Sequence, residues 1–172
     1  LADVLGFKIE QERAVETFDG LHGYGKNGCW DKLGEGEEDF LFFCPNDEEH
    51  IRRIFDQYQN KIKESDFAGV FLDRIRFPSP SNGFEILFSC FCQSCLNKFY
   101  HKYGEDLENY RYQAKAVFEK LKTMDISYLR TCQSFSDMII QGNLKKFYDF
   151  RKQNIYQVVK IFADKAKQMG KI

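Results

Sequence analysis

Three cysteines stand within one short stretch, Cys90-Phe91-Cys92-Gln93-Ser94-Cys95, and no other feature of the chain limits its local geometry so tightly. Two thiolates separated by two residues can close on one tetrahedral zinc, and the Cys-x-Cys step brings a third sulfur within reach. A fourth ligand must come from elsewhere, and the chain offers Cys29, Cys44 and Cys132 or His22, His50 and His101. Two other uses compete. Disulfides among these neighbours are strained, because Cys-x-Cys and Cys-x-x-Cys pairs rarely reach relaxed bridge geometry. A redox pair of Cys92 and Cys95 at a helix start is chemically reasonable, but Cys90 just upstream suits a metal better. The spacing favours zinc and leaves the redox and disulfide uses open.

The wider bounds are those of an ordinary globular chain. Its 172 residues fit about one domain, with 43% apolar and 30% charged residues. The 25 basic and 26 acidic residues nearly cancel, and no basic block asks for nucleic acid or an anionic membrane. No apolar run approaches the roughly 20 residues that span a bilayer, and no secretory signal is read at the start. The expected location is therefore the cytoplasm. The chain opens Leu1-Ala2-Asp3 without an initiator Met, and its last helix is expected to run almost to Ile172, so it reads as a piece of something longer or as a processed product. Eighteen Phe against one Trp point to a Phe-rich core.

Residues 1–39 carry little periodicity. A glycine-rich loop is expected over 20–38, and it spells G-x-G-x-x-G at 23–28. The dinucleotide fingerprint needs a strand before it and a helix after it. Phe18-Asp19-Gly20-Leu21-His22 is no strand, and no apolar-periodic helix opens at Gly28, so the match is taken as chance. Trp30 on this loop is either a local staple or a stacking platform for a sugar or a base, with the staple the plainer use.

From Asp39 the pattern sharpens. Phe40-Leu41-Phe42-Phe43-Cys44 is a continuous apolar run of the buried-strand type. Pro45-Asn46 stops it, and Asn46 is expected to cap a helix whose first turn holds Asp47, Glu48 and Glu49. Ile51, Ile54, Phe55, Tyr58 and Ile62 give that helix one apolar face. Phe67-Ala68-Gly69-Val70-Phe71-Leu72 then reads as a second buried strand ending at Asp73. Strand, helix, strand over 40–72 is a βαβ unit, which implies a parallel sheet and an α/β fold. In such sheets sites gather at the carboxyl edge. That places Cys44, Asp73 and the long loop 74–95 at one edge, making Cys44 the best fourth ligand and His101 the runner-up. Cys29 and Cys132 read as small buried hydrophobes. The rest is expected to be helical. One face carries Leu96, Phe99, Tyr100 and Tyr103 ahead of a Gly104 cap. A second runs from Leu107 to Met124, and a third from about Asn143 to Met169.

Phe43-Cys44-Pro45-Asn46, then Gly69-Val70-Phe71-Leu72-Asp73-Arg74-Ile75-Arg76-Phe77-Pro78, then the cysteine run with Leu96-Asn97-Lys98-Phe99 and Tyr103-Gly104-Glu105-Asp106-Leu107, resembles bacterial glycoside-hydrolase-type (β/α)₈ barrels. The cysteine part is similar to the zinc cluster of bacterial β-galactosidases of the retaining clan. The resemblance covers about residues 40–112 and implies Cys44, Cys90, Cys92 and Cys95 as ligands of a structural Zn2+, in a fragment of a TIM-barrel protein. It departs from that family where an Asn-Glu pair should end the fourth strand, since this chain has Leu72-Asp73. As a strand-end carboxylate Asp73 is a catalytic candidate, with Glu85 as the partner that glycoside hydrolysis requires. Arg76 is the candidate to hold Asp73 ionised or to bind sugar hydroxyls, and Trp30 to stack on the substrate. The plainer reading of Asp73 is a salt bridge to Arg74 or Arg76. The expected function is a glycoside hydrolase acting on a carbohydrate, with zinc beside its cleft. The alternative is a non-catalytic zinc-stapled α/β module that binds glycan or protein.

Overall fold

The protein is described from a computed structural model, and residues 16, 18–19, 43–72, 75–77, 88–123 and 132–171 are those it describes. Among these, 68% are helical and 2% are single bridge residues, with no sheet. The expected α/β fold, with a parallel (β/α)₈-like sheet, is therefore not what the described chain adopts.

Five helices carry the architecture: α1 (Glu48–Lys63), α2 (Gln93–Tyr103), α3 (Glu108–Lys122), α4 (Cys132–Gln141) and α5 (Lys145–Gln168). Each start and stop has a local cause. Asp47, not Asn46, caps α1: its carboxylate accepts the His50 N–H at 3.0 Å, with Glu48 and Glu49 in the first turn and Lys61 and Lys63 in the last. Helix α2 ends where Gly104 turns left-handed at φ 65°, its N–H donating to the Tyr100 carbonyl at 2.8 Å. Asn143, also left-handed at φ 57°, sits in the turn between α4 and α5.

The helices close two apolar clusters. The larger joins Phe88, Cys90, Phe91 and Cys95 to Phe99 of α2, to Leu107, Tyr110, Ala114, Val117, Phe118 and Leu121 on and before α3, to Met138 and Ile139 of α4, and to Phe147 and Phe150 of α5. The smaller joins Ile54, Tyr58 and Ile62 of α1 to Val158, Phe162 and Ala166 of α5. The Tyr58 and Phe162 rings meet edge-on at 4.8 Å, and the Tyr58 hydroxyl donates to the Phe162 carbonyl at 3.0 Å. Helix α5, some 36 Å long at 1.5 Å per residue, thus runs through both clusters.

The βαβ reading of 40–72 fails for a physical reason. Residues 40–42 lie outside the described residues; Phe43 makes a single bridge and Cys44 is coil. Residues 67–72 form no strand. Val70 and Leu72 rest on the smaller cluster, while Phe67 and Phe71 are 73% and 89% exposed. A parallel strand needs both faces covered and a hydrogen-bonded neighbour. Here α1 covers α5 instead of a sheet, and the segment is tied down at one end by Lys171, whose ammonium donates to the Ser65 and Phe67 carbonyls at 2.9 and 2.7 Å. The glycine-rich stretch 20–38 lies outside the described residues, as does most of the loop after Asp73.

Candidate metal centre

Cys44, Cys90, Cys92 and Cys95 converge on one point, their sulfurs all within 4.8 Å of one another. Two local devices bring them there. Cys44 ends the segment entering α1, where the Asp47 N–H bonds back to the Cys44 carbonyl at 3.1 Å in a tight turn through Pro45 and Asn46. The other three sit at the entry to α2: Cys92 is its N-cap residue in extended conformation (φ −65°, ψ 165°), and Cys95 lies in the first helical turn. The Cys44 sulfur is 3.4 Å from those of Cys92 and Cys95. No pair is bonded, since a disulfide needs about 2.05 Å.

The donor set fits a tetrahedral cation. Four sulfurs at about 2.3 Å from a shared zinc stand about 3.8 Å apart, inside the observed spread. Backbone and side-chain donors already point at the sulfurs. The Asn46 N–H reaches Cys44 Sγ at 3.4 Å, Asn46 Nδ2 reaches Cys95 Sγ at 3.2 Å, and the Glu16 N–H reaches Cys90 Sγ at 3.2 Å. Such donors stabilise thiolates and orient ligands around a metal. Asn46 itself is buried, and its Oδ1 finds no partner among the described residues.

Four thiols this close cannot all ionise on their own. Cys92 is the one held low, by hydrogen bonds from Cys44, then Cys90 and Cys95, with the Cys95 backbone N–H adding to them. Cys44 is pushed well up by Cys90, then Cys92 and Cys95, and by burial. Cys95 is raised as well: Cys44 pulls it down, but Cys90, Cys92 and burial outweigh that pull. A divalent cation removes this conflict, because it favours the thiolate form at every ligand.

Two arginines stand near the cysteine loop, Arg111 directly on it and Arg151 on the rings beside it. Arg111 of α3 lies 5.0 Å over the Phe91 ring, donates to the Phe91 carbonyl at 3.1 Å, and pairs with Glu16 and Glu108 at 2.9 and 2.7 Å. Phe91 stacks on Phe147 of α5 at 5.0 Å and 9°. Arg151 lies 4.3 Å over Phe77 and 5.6 Å over Phe147, and is buried. Burial lowers its pKa, while Tyr148, Cys90 and Cys95 pull the other way. The loop is thus held by cation–π and ring-stacking contacts as well as by its sulfurs.

The other sequence candidates are not gathered here. His101 is exposed on α2 and stands apart from the sulfurs, and His50 is buried beneath Phe43, 5.0 Å between ring centroids. Arg76 is exposed and donates to the Phe77 carbonyl at 3.3 Å. Asp73, Glu85, Trp30, His22 and Cys29 lie outside the described residues, as does the side chain of Cys132. Sequence reasoning missed Asn46 as a donor to the sulfurs, having assigned it to the helix cap. It also missed Arg111, whose i, i+3 spacing from Glu108 marked an ion pair but not its seat on Phe91.

Comparison with protein-family models, with curated proteins and with solved structures finds no match to this chain. The resemblance to glycoside-hydrolase barrels is corrected accordingly: no family model carries it, and the described residues are mostly helical with no barrel strand among them. What stands is a four-cysteine cluster able to hold a metal ion. No helix of the described residues is long and apolar enough to cross a membrane.

Proposed function

We propose that the four cysteines hold one structural Zn2+ and that the chain acts as a zinc-stapled helical module, binding through its surface rather than catalysing a reaction. The observation that carries this reading is the closed set of four convergent sulfurs, three of them only 1% exposed. Such a set leaves no open coordination position for water or substrate, so the ion does structural work. The ion would tie the segment ahead of α1 to the loop ahead of α2. It would thereby fix Phe91 between α3 and α5. The non-catalytic alternative of the sequence analysis is kept, on a helical scaffold. The strand expected at 67–72, from which Asp73 drew its catalytic role, is not formed among the described residues, and Asp73 and Glu85 lie outside them.

Elemental analysis of natively purified protein tests the proposal. The expected result is one equivalent of zinc, released by a strong chelator with loss of near-UV circular dichroism and of order around residues 88–96. Protein that holds no metal, with the four thiols free or disulfide-linked, overturns it.

A further inference from the structure

One described cavity borders the sulfur cluster. Cys90 and Cys95 are 1% exposed and do not border any cavity described beside the cluster. Cys92 is half-buried and borders a cavity of about 460 Å³ that reaches between α2 and α3, with Phe91, Gln93, Glu16, Glu108 and Arg111 on its walls. Cys44, itself 1% exposed, borders the same cavity, and its sulfur lies 3.4 Å from those of Cys92 and Cys95, of which only Cys92 lines that cavity. Of the four sulfur-bearing residues, then, two share one solvent route and touch each other. A space of this size admits several water-sized molecules, and access decides which thiolate of a cluster reacts first.

We propose that Cys92 is an oxidation site: hydrogen peroxide entering by this cavity joins Cys92 to Cys44 as a disulfide and expels the metal ion. The inference rests on the zinc reading given above. In the first step the Cys92 thiolate attacks a peroxide oxygen. The S–O bond forms, the O–O bond breaks and hydroxide leaves, giving a sulfenic acid. In the second step the Cys44 thiolate attacks the sulfenyl sulfur. The S–S bond forms, the S–O bond breaks and a second hydroxide leaves. Two thiolates have lost two electrons to one peroxide, and two protons from solvent turn the hydroxides into water. An ion left with two of its four sulfurs dissociates. The two sulfurs close only from 3.4 to about 2.05 Å, and Cys90 and Cys95 stay reduced behind them.

The test uses the full chain with its zinc. A single equivalent of N-ethylmaleimide, followed by peptide mapping, is expected to label Cys92 at least tenfold more than Cys90 or Cys95. Even labelling, or preference for either of those two, overturns the proposal. Peroxide in the presence of a chromogenic chelator is expected to release one zinc per disulfide formed, with the bond mapped to Cys44 and Cys92; any other pairing overturns it. Cys92→His keeps four donors and is expected to slow peroxide-driven release at least tenfold. The wild-type labelling decides the matter if that variant does not fold. Native mass spectrometry of untreated protein separates the two levels. A chain without metal fails the zinc reading and this proposal together, whereas a chain that carries zinc and loses it through other sulfurs fails this proposal alone.

Discussion

Asn46→Leu separates metal binding from folding, because the two respond with opposite signs. Asn46 is 3% exposed, and its Nδ2 donates to Cys95 Sγ at 3.2 Å, while its Oδ1 has no partner among the described residues. Leucine keeps the branching at Cγ, and the backbone N–H still reaches Cys44 Sγ at 3.4 Å, so the substitution removes one N–H···S contact and one orphaned oxygen. Loss of a donor to a ligating sulfur weakens metal affinity about 10- to 100-fold, or about 1.4–2.7 kcal/mol. The metal-free fold loses a hydrogen bond of about 1 kcal/mol but is relieved of a buried unsatisfied acceptor that costs about 1–3 kcal/mol. It should be unchanged or slightly more stable. Competition for zinc against a chromophoric chelator measures the first quantity, and urea denaturation with excess chelator measures the second. Affinity within about threefold of wild type, or a metal-free fold weakened by more than about 2 kcal/mol, refutes the assignment of Asn46 to the sulfur rather than to the turn.

Gly142, just after α4, packs tightly on α3: a Cβ there would lie 2.3 Å from Val117 Cγ2 and 3.1 Å from the Met138 carbonyl. Gly142→Ala should cost about 1–3 kcal/mol by overpacking and Val117→Ala about 2 kcal/mol by lost burial. The double variant should come out at least about 1 kcal/mol better than their sum, and additive energies in urea titrations would contradict the contact. Tyr110, pushed up to about 12 by burial and then by its hydrogen bond to Glu105, favours the folded state fully below the free tyrosine value of about 10. That contribution is lost as pH rises through 12. Thermal melts across this alkaline window should fall less steeply in Tyr110→Phe, and identical slopes would count against the shift.

Helical periodicity was legible because it repeats. Ile54, Tyr58 and Ile62 recur on one face of α1 and are buried there, as are Tyr110, Ala114, Val117, Phe118 and Leu121 on α3. Helix α4 was missed although Phe135, Met138 and Ile139 carry the same spacing, because ten residues give that spacing only one cycle to show itself. The runs at 40–44 and 67–72 misled for the opposite reason. A short continuous apolar run has no period and says only that some side chains are buried. Val70 and Leu72 satisfy that on α1 and α5 while Phe71 faces water. The cysteine spacing was legible within 90–95, and Cys44 was singled out by a sheet edge that is not formed among the described residues. The convergence arises instead from the Pro45-Asn46 turn, whose use of Asn46 moved the helix cap to Asp47. The glycine-rich loop, Asp73 and Glu85 fall outside the described residues.

Helix α5 is the only described helix with buried residues in both apolar clusters, and α1 packs against it in the smaller one. At its start α1 is also tied to α2, by the Asn46 Nδ2 contact to Cys95 Sγ and by buried Cys44. A metal ion at the cysteines would replace these weak contacts with bonds and close a ring from Cys44 along the chain to Cys92, 48 positions apart. Cross-linking a loop of that length restricts the denatured chain by an amount equivalent to about 4 kcal/mol. With the ring closed the two clusters are constrained to open together. With it open, α1 and the tail of α5 would be free to unfold as a separate unit, so a bound ion would set how many cooperative pieces the molecule has.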